Sequence, residues 1–182
     1  MNARSGGVHT VGVSIPVPSP YGDQLQAARH HAGDPLADAV PTHVTLMPPT
    51  EVAVDAMPEL DDYLRTVAAG AEPFRMTLQG TGTFRPISPV VFVAVAEGIG
   101  HCERLEAAVR SGPVSRELQF PYHPHVTIAQ GLADAALDRA FEALATFRCA
   151  FEVDGFDLYR HGDDQVWRPV ERFAFGPEDP AG

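Results

Sequence analysis

The chain has 182 residues, 45% of them hydrophobic and 20% charged, which is enough apolar material for a core without disulfide or zinc staples. Acidic residues outnumber basic ones 24 to 13, for a formal net charge of −11. This disfavours long duplex nucleic acid as a partner and leaves room for a small anion in a locally positive cleft. All 13 cations are arginines. The lack of lysine excludes a Walker A phosphate loop, a Schiff-base enzyme and an ATP-dependent ligase working through a lysyl-adenylate, while arginine forks still suit phosphate.

Strands and helices alternate along the chain. Residues 1–7 are expected to form a loose N-terminus and residues 176–182 a loose tail, on either side of one domain over 8–175. Val8–Val17 reads as a strand and Tyr21–Ala32 as a helix closed by Gly33. His43–Met47 is a short strand between Pro41 and Pro48-Pro49. Pro58–Ala69 is helical, with Leu60, Tyr63, Leu64 and Val67 on one face and Gly70 as its stop. Phe74–Leu78 and Val90–Ala96 are strands, and the second is apolar enough to be central in its sheet. Gly100–Arg110 is a helix, and a Pro/Gly-bearing loop, Ser111–Pro124, leads into a strand at His125–Ala129. Ala133–Thr146 is an amphipathic helix, and the strands Cys149–Val153, Phe156–Arg160 and Val166–Phe175 follow, with a turn at Asp163–Asp164. Cys102 and Cys149 lack zinc spacing and are expected to be reduced, partly buried thiols. MNARSGGVHT carries no apolar signal core and no run approaches transmembrane length, so the expected location is the cytoplasm, with no membrane partner.

One short unit occurs twice: His43-Val44-Thr45-Leu46 and His125-Val126-Thr127-Ile128. In a strand, alternate side chains share a face, so each His-Thr pair points opposite to its Val-aliphatic pair. The apolar pairs anchor the strands; the polar pairs must find a partner or a ligand. Two imidazoles and two hydroxyls suit phosphodiester cleavage. One neutral imidazole takes a proton from the attacking oxygen, and one protonated imidazole gives a proton to the departing oxygen. Threonine hydroxyls donate to the non-bridging oxygens. No metal or cofactor is called for.

Both copies match H-x-[T/S]-hydrophobic at every position. With the flanks PTHVTLMPP and FPYHPHVTIAQ, the chain resembles the 2H phosphoesterases, in particular their bacterial 2′-5′ RNA ligase-like and 2′,3′-cyclic phosphodiesterase branch. The resemblance implies a bilobal α+β fold: two antiparallel sheets related by a pseudo-twofold axis, helices outside and a cleft between. It also implies that His43, Thr45, His125 and Thr127 carry the activity. The expected substrate is a small nucleotide or RNA terminus bearing a 2′,3′-cyclic phosphate or a 2′-5′ linkage. The protein is expected to be a monomer; His125 is assigned as base and His43 as acid, although the pseudo-symmetry of the two motifs allows the roles to be exchanged.

Arg85, Phe84 and Tyr122 are further candidates for substrate binding, Arg85 through phosphate and the two aromatics through stacking. A surface loop charge explains Arg85 equally well, core packing explains Phe84 and Tyr122 better than stacking does, and a half-buried sheet position explains Trp167 beside Arg168 as well as base binding does. Two rivals remain. His123-x-His125 with His43 could offer three nitrogens to a metal. A regulatory module could hold a nucleotide phosphate without turning it over. His9, His30, His31, His101 and His161 read as ordinary surface or packing residues.

Overall fold

The computed structural model describes residues 6–177. The expected loose ends lie mostly outside these residues. Within them, Gly7 accepts a hydrogen bond from the Val54 amide (2.9 Å), and the Gly176 amide donates to Ala68 (3.2 Å).

The elements run β1 (Val8–Pro16), α1 (Tyr21–Ala32), β2 (His43–Ala53), α2 (Met57–Ala69), β3 (Phe74–Thr83), β4 (Val90–Glu97), α3 (Ile99–Arg110), β5 (His125–Gln130), α4 (Asp134–Ala143), β6 (Arg148–Val153), β7 (Gly155–His161) and β8 (Trp167–Ala174). The strands form two antiparallel four-stranded sheets, ordered β2-β1-β7-β8 and β5-β4-β3-β6. The pattern β-α-β-α occurs twice, as β1-α1-β2-α2 and β4-α3-β5-α4, and places β2 and β5 at equivalent edges. This is the bilobal, pseudo-twofold α+β fold expected from the resemblance.

The helices cross between lobes: α1 packs with α4 on the sheet containing β5, and α3 packs with α2 on the sheet containing β2. Each helix buries a spaced stripe, such as Leu60, Leu64 and Ala68 on α2 and Cys102, Leu105 and Val109 on α3. Behind the motif strands, Val44, Leu46, Val126 and Ile128 join one buried apolar cluster with the helices. That packing leaves the opposite faces of β2 and β5 to the His-Thr pairs. The two edge strands meet across the cleft.

Several strands exceed their expected lengths. β2 continues through Pro48-Pro49 to Ala53 because it is an edge strand, where a residue without an N–H is tolerated. The two prolines fall where the register shifts, between Val13↔Met47 and Val11↔Thr50. β3 runs on to Thr83 past Gly80 (φ +71°), with a similar shift between Leu78 and Thr81. α4 stops at Ala143 rather than Thr146. No described helix is long and apolar enough to cross a membrane.

Candidate active site

His43 and Thr45 open β2, and His125 and Thr127 open β5; all four side chains are half-buried. The imidazoles are held the same way. Nδ1–H of His43 donates to the carbonyl of Pro41 (2.6 Å), and Nδ1–H of His125 donates to the carbonyl of His123 (2.7 Å). A carbonyl only accepts, so each Nδ1 must carry the proton. In the neutral ring Nε2 is then the basic nitrogen, and neither Nε2 has a protein partner among the described residues. The hydroxyls of Thr45 and Thr127 have none either.

The cleft divides into two hollows that meet at Thr45. The first, about 340 Å³, holds His43 and Thr127 with Ser14, Gln130, Tyr159 and Trp167 on its walls. The second, about 550 Å³, holds His125 with Phe84, Ile87, Phe120 and Tyr122. The difference follows from register: Thr45 lies opposite Ser14 on β1, whereas Thr127 lies opposite Phe92 on β4. The His125 ring therefore sits in an aromatic corner, 4.9 Å from the Phe84 ring and 5.2 Å from Phe92.

Desolvation by burial pushes the pKa of both imidazoles below the ordinary histidine value. The carbonyl bonds act the other way. The charges of Arg29 and His125 lower His43 further, and His123 does the same to His125.

Arg29 is fully buried beneath the first hollow. Its Nε and Nη2 donate to Asp34 (3.1 and 2.9 Å) and its Nη1 to the carbonyl of Val40 (3.3 Å). Asp34 also accepts the Leu36 amide (2.9 Å). This buried pair shapes the segment that ends in Pro41, the acceptor for His43.

The other sequence candidates separate. Phe84 lines the second hollow. Tyr122 lines it too, but its hydroxyl donates to the backbone carbonyl of Thr45 (2.8 Å), so it ties the approach to β5 onto β2; burial pushes its phenol pKa up. Arg85 lines neither hollow. It pairs with Asp138 (2.8 Å) and Asp134 (3.4 Å) on α4, which occupies the fork expected to meet phosphate. Trp167 lines the first hollow and stands 4.9 Å from His161, while Arg168 is taken by Asp164. His123 stands against Phe84 and Phe92 (5.6 and 5.3 Å). Among the described residues, no three or more His, Cys, Asp or Glu side chains converge as a metal site, so His43, His123 and His125 do not assemble the rival ligand set.

Sequence reasoning missed Ser14, Gln130, Tyr159, Phe92 and Arg29. Ser14 had a readable signal, as a small polar residue between buried Val13 and Ile15. Gln130 did not. The register shift between Thr127 and Ala129 breaks the alternation, and Gln130 instead of Ala129 reaches the cleft.

Comparison with known proteins agrees with this architecture. A solved structure of TT0787 from Thermus thermophilus matches with a TM-score of 0.67 at 22% identity, covering 93% of this chain and 100% of that one. E. coli LigT complexed with 3′-AMP matches with a TM-score of 0.66 at 20% identity, covering 93% and 99%. BH1439 of Halalkalibacterium halodurans, provisionally named a phosphoesterase, is 29% identical over 148 residues, 80% of this chain and 86% of that protein. The family model described as the 2′-5′ RNA ligase superfamily matches residues 16–165. That match takes in both His-x-Thr strands and most of the chain, and the chain belongs to the 2′-5′ RNA ligase superfamily.

Proposed function

We propose that this chain is a metal-independent phosphodiesterase acting on nucleotide or RNA ends that carry a 2′,3′-cyclic phosphate or a 2′-5′ linkage. The observation that carries the reading is the matched pair of Nδ1–carbonyl bonds, which leaves two Nε2 atoms available beside two unpartnered threonine hydroxyls. His43 lines the first hollow and His125 the second, so the rings serve opposite sides of a phosphorus placed near Thr45.

The first hollow suits the nucleoside. Trp167 and Tyr159 offer rings to a base, and Ser14 and Gln130 offer hydrogen bonds. With the nucleoside there, His43 gives its proton to the ribose oxygen that departs. His125 takes the proton of the water arriving from the second hollow. Thr45 and Thr127 donate to the non-bridging oxygens as charge builds on them. The LigT structure in complex with 3′-AMP supports a nucleotide as the ligand class.

The direct test is a product-resolved assay with 2′,3′-cyclic nucleotides and a 2′-5′ dinucleotide, run in EDTA. Turnover of at least one substrate to a single phosphomonoester isomer, a 2′-phosphate for the cyclic substrates, is the expected result. Tight binding with no product over hours would instead make the protein a nucleotide-binding module. Loss of turnover in EDTA and its return with zinc would move the chemistry to a metal.

The pH dependence follows from the two lowered pKa values. The active form has one imidazole neutral and one protonated, and it is most populated between the two apparent pKa values of the pair. Both lie below the ordinary value of about 6.5. The kcat/KM profile is therefore expected to peak on the acid side of about pH 6.5 and to fall as the imidazolium is lost at higher pH. Bound phosphate favours the imidazolium, so the kcat profile should lie at higher pH than the kcat/KM profile. A kcat/KM maximum in the alkaline range would contradict the assignment.

A further inference from the structure

The two histidines are anchored alike but braced differently. The acceptor for His43 is the Pro41 carbonyl, and the buried Arg29–Asp34 pair shapes the segment that ends there. The acceptor for His125 is the His123 carbonyl (2.7 Å), and its neighbour in the chain is Tyr122. The Tyr122 hydroxyl donates to the backbone carbonyl of Thr45 (2.8 Å), 77 residues away and in the other sheet from β5. β2 is an edge strand, which leaves backbone groups outside the ladder for such a bond. Burial pushes the phenol pKa up, so the hydroxyl keeps its proton and its donor role. The ring packs against the buried core.

The segment between these bonds is short and stiff. Pro121 and Pro124 bracket Tyr122 and His123; each fixes its own φ and steers the residue before it to extended backbone. Pro124 is buried, and the His123 ring lies against Phe84 and Phe92 (5.6 and 5.3 Å). A shift at Tyr122 therefore carries the His123 carbonyl with it instead of being absorbed in the loop. The contacts form one line: Thr45 carbonyl, Tyr122 hydroxyl, His123 carbonyl, Nδ1–H of His125. Each end of that line is a residue that meets the phosphate in the two-histidine reading.

We infer that Tyr122 is the positioning residue for His125, setting its tautomer and its spacing from Thr45 across the cleft. This rests on the two-histidine reading given above and adds to it the group that holds the second ring in register with the first motif. Without the phenol bond the His123 carbonyl drifts, and Nδ1–H of His125 loses its fixed acceptor. The ring proton then divides between the two nitrogens. Molecules with that proton on Nε2 present no base to the substrate.

The test is Tyr122→Phe, which removes one hydroxyl and keeps the ring. Nitrogen NMR on isotope-labelled histidine at about pH 8, where neutral imidazoles prevail, should show the Nδ1–H form for both His43 and His125 in the parent. In Tyr122→Phe the His125 signals should move toward a mixture of tautomers while those of His43 stay. The kcat on a 2′,3′-cyclic nucleotide should fall about 10- to 100-fold, as expected when a reacting group is misplaced by up to about an ångström, with KM changed less than about twofold. Arg116→Ala is the control for general loosening of the loop, since Nη1 of Arg116 donates from the same loop to the Pro49 carbonyl on β2. In that variant the His125 signals should keep their parent positions. An Nε2–H form of His125 in the parent, an unchanged tautomer or kcat in Tyr122→Phe, or equal tautomer changes in both variants would each overturn the assignment while leaving the hydrolytic reading intact. Failure of the parent to turn over the cyclic nucleotide at all would overturn both.

Discussion

Replacing His43 or His125 with alanine is expected to lower kcat on a 2′,3′-cyclic nucleotide by about 10²- to 10⁴-fold, the range associated with a positioned general acid or base. The loss should arise in the chemical step. Each ring is half-buried and anchored by a single hydrogen bond to its own chain two residues back, so removal of His43 costs little packing, while removal of His125 also gives up its contacts with Phe84 and Phe92. Thermal unfolding of His43→Ala should therefore stay close to that of the parent, with a modest drop for His125→Ala, while single-turnover rates collapse in both. The double variant should fall little further than the worse single one, because acid and base act as a unit on one transition state. Retention of more than about a tenth of the parent rate in either single variant would be incompatible with proton transfer through these rings.

That prediction could be written from the sequence, and the reason is local. The His-Val-Thr-aliphatic unit carries its geometry with it, since strand alternation alone sends histidine and threonine to one face and the apolar pair to the other. Two copies on matching halves then imply a shared cleft. The strand and helix pattern was legible for the same reason: β-branched runs such as Val90–Ala96 and spaced apolar stripes such as Leu60, Leu64 and Val67 act over short distances.

What stayed hidden depends on who sits opposite whom. Phe92 shapes the pocket of His125 only because it pairs with Thr127, and Ser14 shapes the other side only because it pairs with Thr45. Arg85 looked free to reach a phosphate until Asp134 and Asp138 came beside it from α4. Tyr122 read as a core ring before a stacking one, and its hydroxyl bond to Thr45 crosses between the lobes. Arg29 is the deepest omission. It precedes His30 and His31, which sit on the solvent side of α1, and nothing in that short polar run marks Arg29 as the turn that faces inward.

Arg29 also carries the largest expected effect on stability. Arg29→Ala should destabilise the fold by about 3–5 kcal/mol, because it leaves Asp34 charged and unpaired in the interior. The side chains of Arg29 and Asp34 are 1% and 0% exposed, so water cannot take over the missing bonds without local opening. The denaturant midpoint should drop accordingly, and the segment from Asp34 to Pro41 should lose amide protection before the sheets do. Replacing both partners, as Arg29→Met with Asp34→Leu, removes the uncompensated charge and should recover part of the stability, as buried pairs replaced by apolar groups often do. Activity should not return with it. The double variant still lacks the donor to Val40 and the acceptor for Leu36, so the carbonyl of Pro41 is no longer held where it orients His43. Removing the nearby guanidinium should also raise the His43 pKa, which moves the alkaline limb of kcat/KM to higher pH in whatever activity survives. A cost under about 1 kcal/mol for Arg29→Ala would mean that the pair is hydrated in solution and does not organise the first hollow.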